Sequence, residues 1–115
     1  MVDRSGAEPG AGIVAVAGEV LVDLVPADPD GHYEAVPGGS PANVAVGLAR
    51  LGVPTRMLAR LADDPLGRRL RAHLGKNSVE LGHTIHAGEP TSLAVVELGA
   101  DGVAEYDFRV DGTAD

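Results

Sequence analysis

A few residues in this chain have types and spacings that could do chemistry. Asp23 stands between Val22 and Leu24 inside an apolar run, where an isolated ionised carboxylate is costly unless hydrogen bonds meet it. At the carboxyl end of a buried strand it would accept hydrogen bonds from ligand hydroxyls. The other reading is a cap on the turn before Pro26. Further along, Gly38 and Gly39 run into Ser40 and Pro41, with Asn43 in the first turn of the helix that follows. Glycines allow close backbone approach, a helix start offers N–H groups to a ligand oxygen, and an amide side chain both donates and accepts. Together these groups suit a small hydroxylated ligand. The same stretch also reads as a tight turn into a core helix.

The remaining polar clusters point to structure. Asp63 and Asp64 read as a helix cap rather than an acid–base pair. His83 and His86 have an odd offset, which on a strand sends them to opposite faces and argues against a shared metal. His32 and His73 have no carboxylate or second histidine at ligand spacing, so no metal is expected. The glycines match neither G-x-G-x-x-G nor G-x-x-x-x-G-K-[ST], which disfavours a dinucleotide half-domain or a Walker loop. Tyr106 and Phe108, with Val96 and Leu98 across a hairpin, could form the apolar face of a flap, although ordinary hairpin packing explains them as well.

The elements that must position these groups follow from pattern. The apolar run Ile13 to Ala17 resumes as "VLVDLV" until Pro26, and continuous Val and Ile without alternation predicts burial on both faces. "HYEAV" predicts an exposed strand. Ser40 as cap and Pro41 at the first position open a helix. Its non-apolar positions Asn43, Gly47 and Arg50 form one stripe, so it is expected to be buried nearly all round, ending at Gly52. "TRMLARL" predicts a single strand from Thr55 to Leu61. Asp64-Pro65 opens an amphipathic helix with Leu66, Leu70 and Leu74 inward. "HTIHA" is a short strand, and "TSLAVVEL" and "VAEYDFRV" form a hairpin around Asp101-Gly102. The order strand, helix, strand, helix, strand predicts an α/β, doubly wound, mostly parallel sheet with an antiparallel addition.

Composition narrows the classes. The 115 residues allow one domain, and 44% apolar with 23% charged residues is ordinary globular usage. A net charge of −8 argues against a nucleic-acid partner, and Arg68, Arg69 and Arg71 read as a solvated helix face. The chain has no cysteine, which suits a reducing compartment. No signal core or membrane-spanning run is present, so a soluble, cytoplasmic protein with no membrane partner is expected, with a loose tail over residues 1–12. "DGTAD" follows the hairpin without a closing element. An open sheet needs more cover, so the chain is expected to be part of a larger fold.

Taken together, "VAGEVLVD", "GGSPANVAVGLARLG", "ARLADDPLG" and the closing hairpin resemble the ribokinase-like (pfkB-type) carbohydrate kinases, most closely the bacterial fructokinases. The resemblance covers residues 13–115 in order. It departs from the family pattern at Asn77-Ser78, where an Asn-Gly turn is usual. It implies the N-terminal part of a ribokinase-like fold with a small β-lid. Asp23 and Asn43 would bind sugar hydroxyls, Gly38 and Gly39 would close on the sugar as a hinge, and Ser40 would border the pocket. Tyr106 and Phe108 are candidate lid contacts. The parent enzyme would use ATP and Mg²⁺ to phosphorylate a sugar, fructose above all, with 2-keto-3-deoxygluconate, ribose or a nucleoside as alternatives. The family's catalytic base and ATP elements fall on no residue here, so the chain alone is expected to be inactive, to bind no cofactor and to hold no metal. A non-catalytic sugar-binding or dimerising module is the rival reading, with a homodimer formed through the lid strands.

Overall fold

The computed structural model describes residues 12–115. Apart from Gly12, the expected tail lies outside the described residues. The elements in order are β1 (Val14–Ala17), β2 (Leu21–Pro26), β3 (Tyr33–Gly38), α1 (Ser40–Arg50) and β4 (Thr55–Leu58). They continue with β5 (Arg60–Ala62), α2 (Pro65–Lys76), β6 (Ile85–Ala87), β7 (Leu93–Leu98) and β8 (Ala104–Arg109). Parallel pairs β1–β4 and β5–β6 form two separate two-stranded sheets, which follow one another along the chain from β4 to β5. An Arg56–Glu80 bridge and the Ile85 N–H to Ala59 carbonyl bond, 2.9 Å, extend these sheets at their margins. The third sheet is four-stranded in the order β3-β2-β7-β8, with β2–β7 parallel and its outer pairs antiparallel. It is the β-lid.

This division corrects several expectations. The apolar run from Ile13 is two strands in two sheets, because the chain turns at Gly18, whose φ of +149° favours glycine. A Cβ on Gly18 would lie 2.9 Å from the Pro41 Cβ, so α1 could not approach if the residue were larger. Asp23 is therefore the third residue of β2, inside the lid, and does not end a core strand. "TRMLARL" likewise splits at Ala59 into β4 and β5. Strand β1 is not buried on both faces: Val14 is 42% exposed, and so, at 46%, is Ile13 just before it. An unalternating apolar run records that cover is compatible, and in the described residues β1 has one strand neighbour, β4.

Helix α1 buries one face, Ala42, Ala45 and Val46, and leaves Val44 54% exposed. Its cap is Gly39, not Ser40. Gly39 has φ +100° and no side chain caps the helix, which displaces Ser40 and Pro41 to the first two helical positions. Without a capping side chain the first-turn N–H groups stay available. Helix α2 follows expectation. Asp64 accepts a hydrogen bond from the Gly67 N–H, 2.7 Å, with Pro65 at the first position, and Leu70 and Leu74 join Met57, Leu61, Ala45 and Val22 in the core.

Asp64 also reaches across the chain. It accepts from the Thr91 N–H at 2.8 Å and the Thr91 hydroxyl at 2.5 Å, which fixes the start of β7 to the head of α2. The terminal "DGTAD" is similarly held. Ala114 bridges Thr91, its N–H donates to the Pro90 carbonyl at 2.8 Å, and the Ser92 hydroxyl lies 2.7 Å from that of Thr113. Both strands of the second lid hairpin are thus pinned at their core end. His32 also gains a partner that spacing did not suggest: the turn before β3 brings its Nδ1 to 2.5 Å from Asp28.

Candidate functional site

The register of the lid places Val36, Asp23, Ala94 and Phe108 in one row across four strands. Paired residues share a face and alternate ones return to it, so Leu21 and Tyr106 belong to the same face as Asp23 and Phe108. The opposite face carries Val22, Ala35 and Pro37 toward α2. The sheet thus has an outer face packed on a helix and an inner face turned to the start of α1.

A cavity of about 260 Å³ opens on that inner face, lined by Glu19, Leu21, Asp23, Gly39, Ser40, Tyr106 and Phe108. Burial raises the Asp23 carboxyl above the usual carboxylate range, and no hydrogen bond or charge from the described residues counters it. A partly desolvated acid without a protein partner is an acceptor held open for something else. The Tyr106 and Phe108 rings stack with centroids 5.9 Å apart and are 55% and 58% exposed. They offer an apolar wall opposite the acid.

The two glycines have different jobs. Gly38 leaves room: a Cβ there would sit 2.8 Å from the Asp23 carboxyl carbon. Gly39 supplies conformation as well as room, because its φ is +100° and a Cβ would come 2.7 Å from the Glu19 carbonyl oxygen. We expect Gly39→Ala to destabilise the chain by about 1–3 kcal/mol, the usual cost of a strained backbone site, read as a lower urea midpoint. Gly38→Ala should instead disturb the placement of Asp23 and cost less stability.

The cavity brings together five of the residues singled out from the sequence, Asp23, Gly39, Ser40, Tyr106 and Phe108, with Gly38 beside the acid. Asn43 is not among its lining residues. It is exposed, three positions beyond Ser40 on α1, with its N–H bonded to the Gly39 carbonyl at 3.0 Å. Sequence reasoning missed Glu19 and Leu21. The signal for Glu19 was its place immediately after Gly18, a polar residue interrupting an apolar run. Asp63 lies outside the cavity, 2.9 Å from His86, and Asp64 is occupied as cap and clamp. Among the described residues no group of three or more His, Asp or Glu could hold a metal ion.

A carboxylate acceptor, a serine hydroxyl, an uncapped helix start and aromatic faces thus line one cavity, polar groups beside apolar surface. Residues 13–114 match the model for pfkB family carbohydrate kinases. The chain belongs to the pfkB family of carbohydrate kinases. Among the family's curated members, a fructokinase of Klebsiella pneumoniae is 41% identical over 105 residues, covering 90% of this chain and 34% of its own length. The fructokinase of Xylella fastidiosa solved with bound ATP superimposes with a TM-score of 0.83 at 30% identity, over 90% of this chain and 32% of that one. A 2-dehydro-3-deoxygluconokinase of Thermotoga maritima gives 0.81 at 26% identity, over 88% of this chain and 33% of that one. This pfkB-family chain spans about a third of the length of the relatives it matches. The family and fold implied by "GGSPANVAVGLARLG" and its companion motifs are therefore those found. No helix among the described residues is long and apolar enough to cross a membrane.

Proposed function

We propose that residues 13–115 are the N-terminal, sugar-binding part of an ATP-dependent carbohydrate kinase, and that the sugar is fructose. In this reading Asp23 accepts hydrogen bonds from sugar hydroxyls, Ser40 and the Gly39 backbone border the ring, and Tyr106 and Phe108 cover its C–H face. Asn43, one turn up α1, meets the sugar from the helix side once the lid is down. The lid excludes water, which would otherwise compete for the transferred phosphoryl group. The observation that carries the reading is the partly buried Asp23 carboxylate with no compensating partner, facing a cavity of about 260 Å³.

ATP with Mg²⁺ and the catalytic base would be supplied by residues outside this chain, since phosphoryl transfer needs both reactants positioned and charge stabilised at the γ-phosphate. The identity of the relatives supports fructose over 2-keto-3-deoxygluconate, and a cytoplasmic setting follows from the ATP requirement. A calorimetric titration of the 115-residue chain with fructose, beside a coupled assay with fructose and ATP, tests the reading. Binding without turnover is expected. Turnover by this chain would overturn the division of labour, and a tighter fit for 2-keto-3-deoxygluconate would reassign the sugar.

Binding should also depend on pH in a set direction. The acceptor must be ionised, and burial raises the pKa of Asp23, so affinity should be full at neutral pH and fall on acidification earlier than an exposed carboxylate would dictate. Fructose titrations from neutral pH downward would show it.

Among the described residues the lid edges β3 and β8 each have one strand neighbour, and open edges invite pairing with a second copy. Homodimerisation through them is part of the proposal, checked by sedimentation equilibrium.

A further inference from the structure

The outer face of the lid meets α2 around a second, separate cavity of about 290 Å³. Its floor is apolar, built by Val22, Ala35 and Pro37 from the lid and by Leu66 and Leu70 from the helix. Its rim carries Arg69, His73 and Lys76 and no acidic side chain. These three sit at i, i+4 and i+7 of α2, one stripe roughly 10 Å long at 1.5 Å per residue.

The stripe is electrically uncompensated among the described residues. The sequence suggested that Arg68, Arg69 and Arg71 form one solvated face, but the structure divides them. Arg68 donates to the Asp63 carbonyl at 3.0 Å, and Arg71 to the Thr84 hydroxyl at 3.1 Å and the Leu61 carbonyl at 3.3 Å. Arg69 and Lys76 enter none of the described ion pairs. His73 is held below its usual range by burial first, then by the charges of Lys76 and Arg50. Arg50 is itself drawn close through Asn77, which accepts from its Nε at 2.9 Å and donates to the His73 carbonyl at 2.8 Å. On a chain of net charge −8, positive groups gathered round an apolar hollow without a counter-charge call for an anionic ligand.

We propose that this cavity binds a small organic anion, its phosphate or carboxylate head held by Arg69 and Lys76 and its apolar body resting on Ala35, Pro37 and Leu66. Both halves of the cavity are needed for this choice. Inorganic anions would leave the floor empty, neutral apolar molecules would leave the cations unused, and the volume is at the lower end of ligand cavities, too small for a dinucleotide. Guanidinium offers a planar fork to either head group, and Lys76 adds a point charge. The site lies on the opposite face of the lid from Asp23, so its occupant is not the sugar of the proposed function.

The test uses the 115-residue chain labelled for amide NMR and four probes: phenyl phosphate, benzoate, inorganic phosphate and benzyl alcohol. Phenyl phosphate or benzoate should give saturable shifts at Ala35, Leu66 and Arg69, and should bind at least about tenfold tighter than inorganic phosphate and benzyl alcohol, a gap of ~1.4 kcal/mol. Whichever of the two binds better names the head group. Arg69→Gln with Lys76→Gln, both exposed and outside the core, should weaken that binding about tenfold or more. Ala35→Glu should abolish it from the lid side. The proposal falls if no saturable shift appears in the millimolar range, if the two organic anions bind no better than inorganic phosphate or benzyl alcohol, or if the double variant binds like the parent. Fructose added to the same sample reports on the inner face through Asp23 and Ser40, so failure at one site is distinguishable from failure at the other.

Discussion

Asp23→Asn should give a chain that folds as well as the parent, or better, and binds sugar far more weakly. The side chain keeps its size, so the row Val36, Asp23, Ala94 and Phe108 is undisturbed. What changes is charge. The parent carboxylate is penalised by burial and has no described partner to offset it, so neutralising it removes a cost from the folded state. Sugar binding loses the charge on its acceptor, and hydrogen bonds to charged groups contribute about 1.5–3 kcal/mol each. Asn still accepts, so the loss is the surplus of a charged over a neutral acceptor, about 1–1.5 kcal/mol per bond; with two hydroxyls engaged, affinity should fall roughly thirtyfold to a hundred-and-fiftyfold. Calorimetry with fructose reads the loss, and urea unfolding reads the stability. Unchanged sugar affinity would remove Asp23 from the site, and a large loss of stability would show that the carboxylate has a structural partner.

The second large effect is on stability, at Asp64. Its carboxylate accepts three hydrogen bonds, from the Gly67 N–H, the Thr91 N–H and the Thr91 hydroxyl. Asp64→Ala removes a helix cap, typically ~1 kcal/mol, and strands both Thr91 donors, so a total near 3 kcal/mol is expected. The pH dependence has a definite sign. Burial pushes the Asp64 pKa up, but the Thr91 and Gly67 hydrogen bonds and the charge of Arg68 outweigh it, and the net shift is downward. A carboxyl with a lowered folded-state pKa stabilises the fold above its unfolded value and loses that contribution as the pH falls through the folded one. The parent should therefore weaken on acidification through and below the ordinary carboxylate range, while Asp64→Ala, already weak, should lose less over the same interval. Urea midpoints of both chains against pH would decide it. Parallel curves would mean that Asp64 contributes nothing through its charge.

Where local signals were enough, the sequence told the truth about this molecule. Asp64-Pro65 with leucines at i, i+4 and i+8 marked α2, and Asp101-Gly102 marked the β7–β8 hairpin, because caps and tight turns are decided within a few residues. The division into separate sheets was not legible. Nothing in "VAGEVLVD" says that Gly18 sends the chain into another layer, since that depends on Pro41 occupying the space beside it. The cap at Gly39 was misassigned for a similar reason: Ser40 is the better intrinsic cap, but the backbone at Gly39 must already turn to bring Asp23 and α1 together. Within the site, the acid and the glycines could be found because each is conspicuous where it stands. The Thr91 clamp could not, because it joins residues far apart in the chain and neither end is unusual alone.

The parallel pairing of β2 with β7 joins Val22 to Leu93, about seventy residues later. Each lid hairpin can zip up on its own within microseconds and carries one half of the inner cavity, yet the cavity is not whole until the two hairpins meet. A polypeptide leaving the ribosome would carry the acid early and its aromatic wall last, so this seam is where slow closure and off-pathway strand pairing should concentrate.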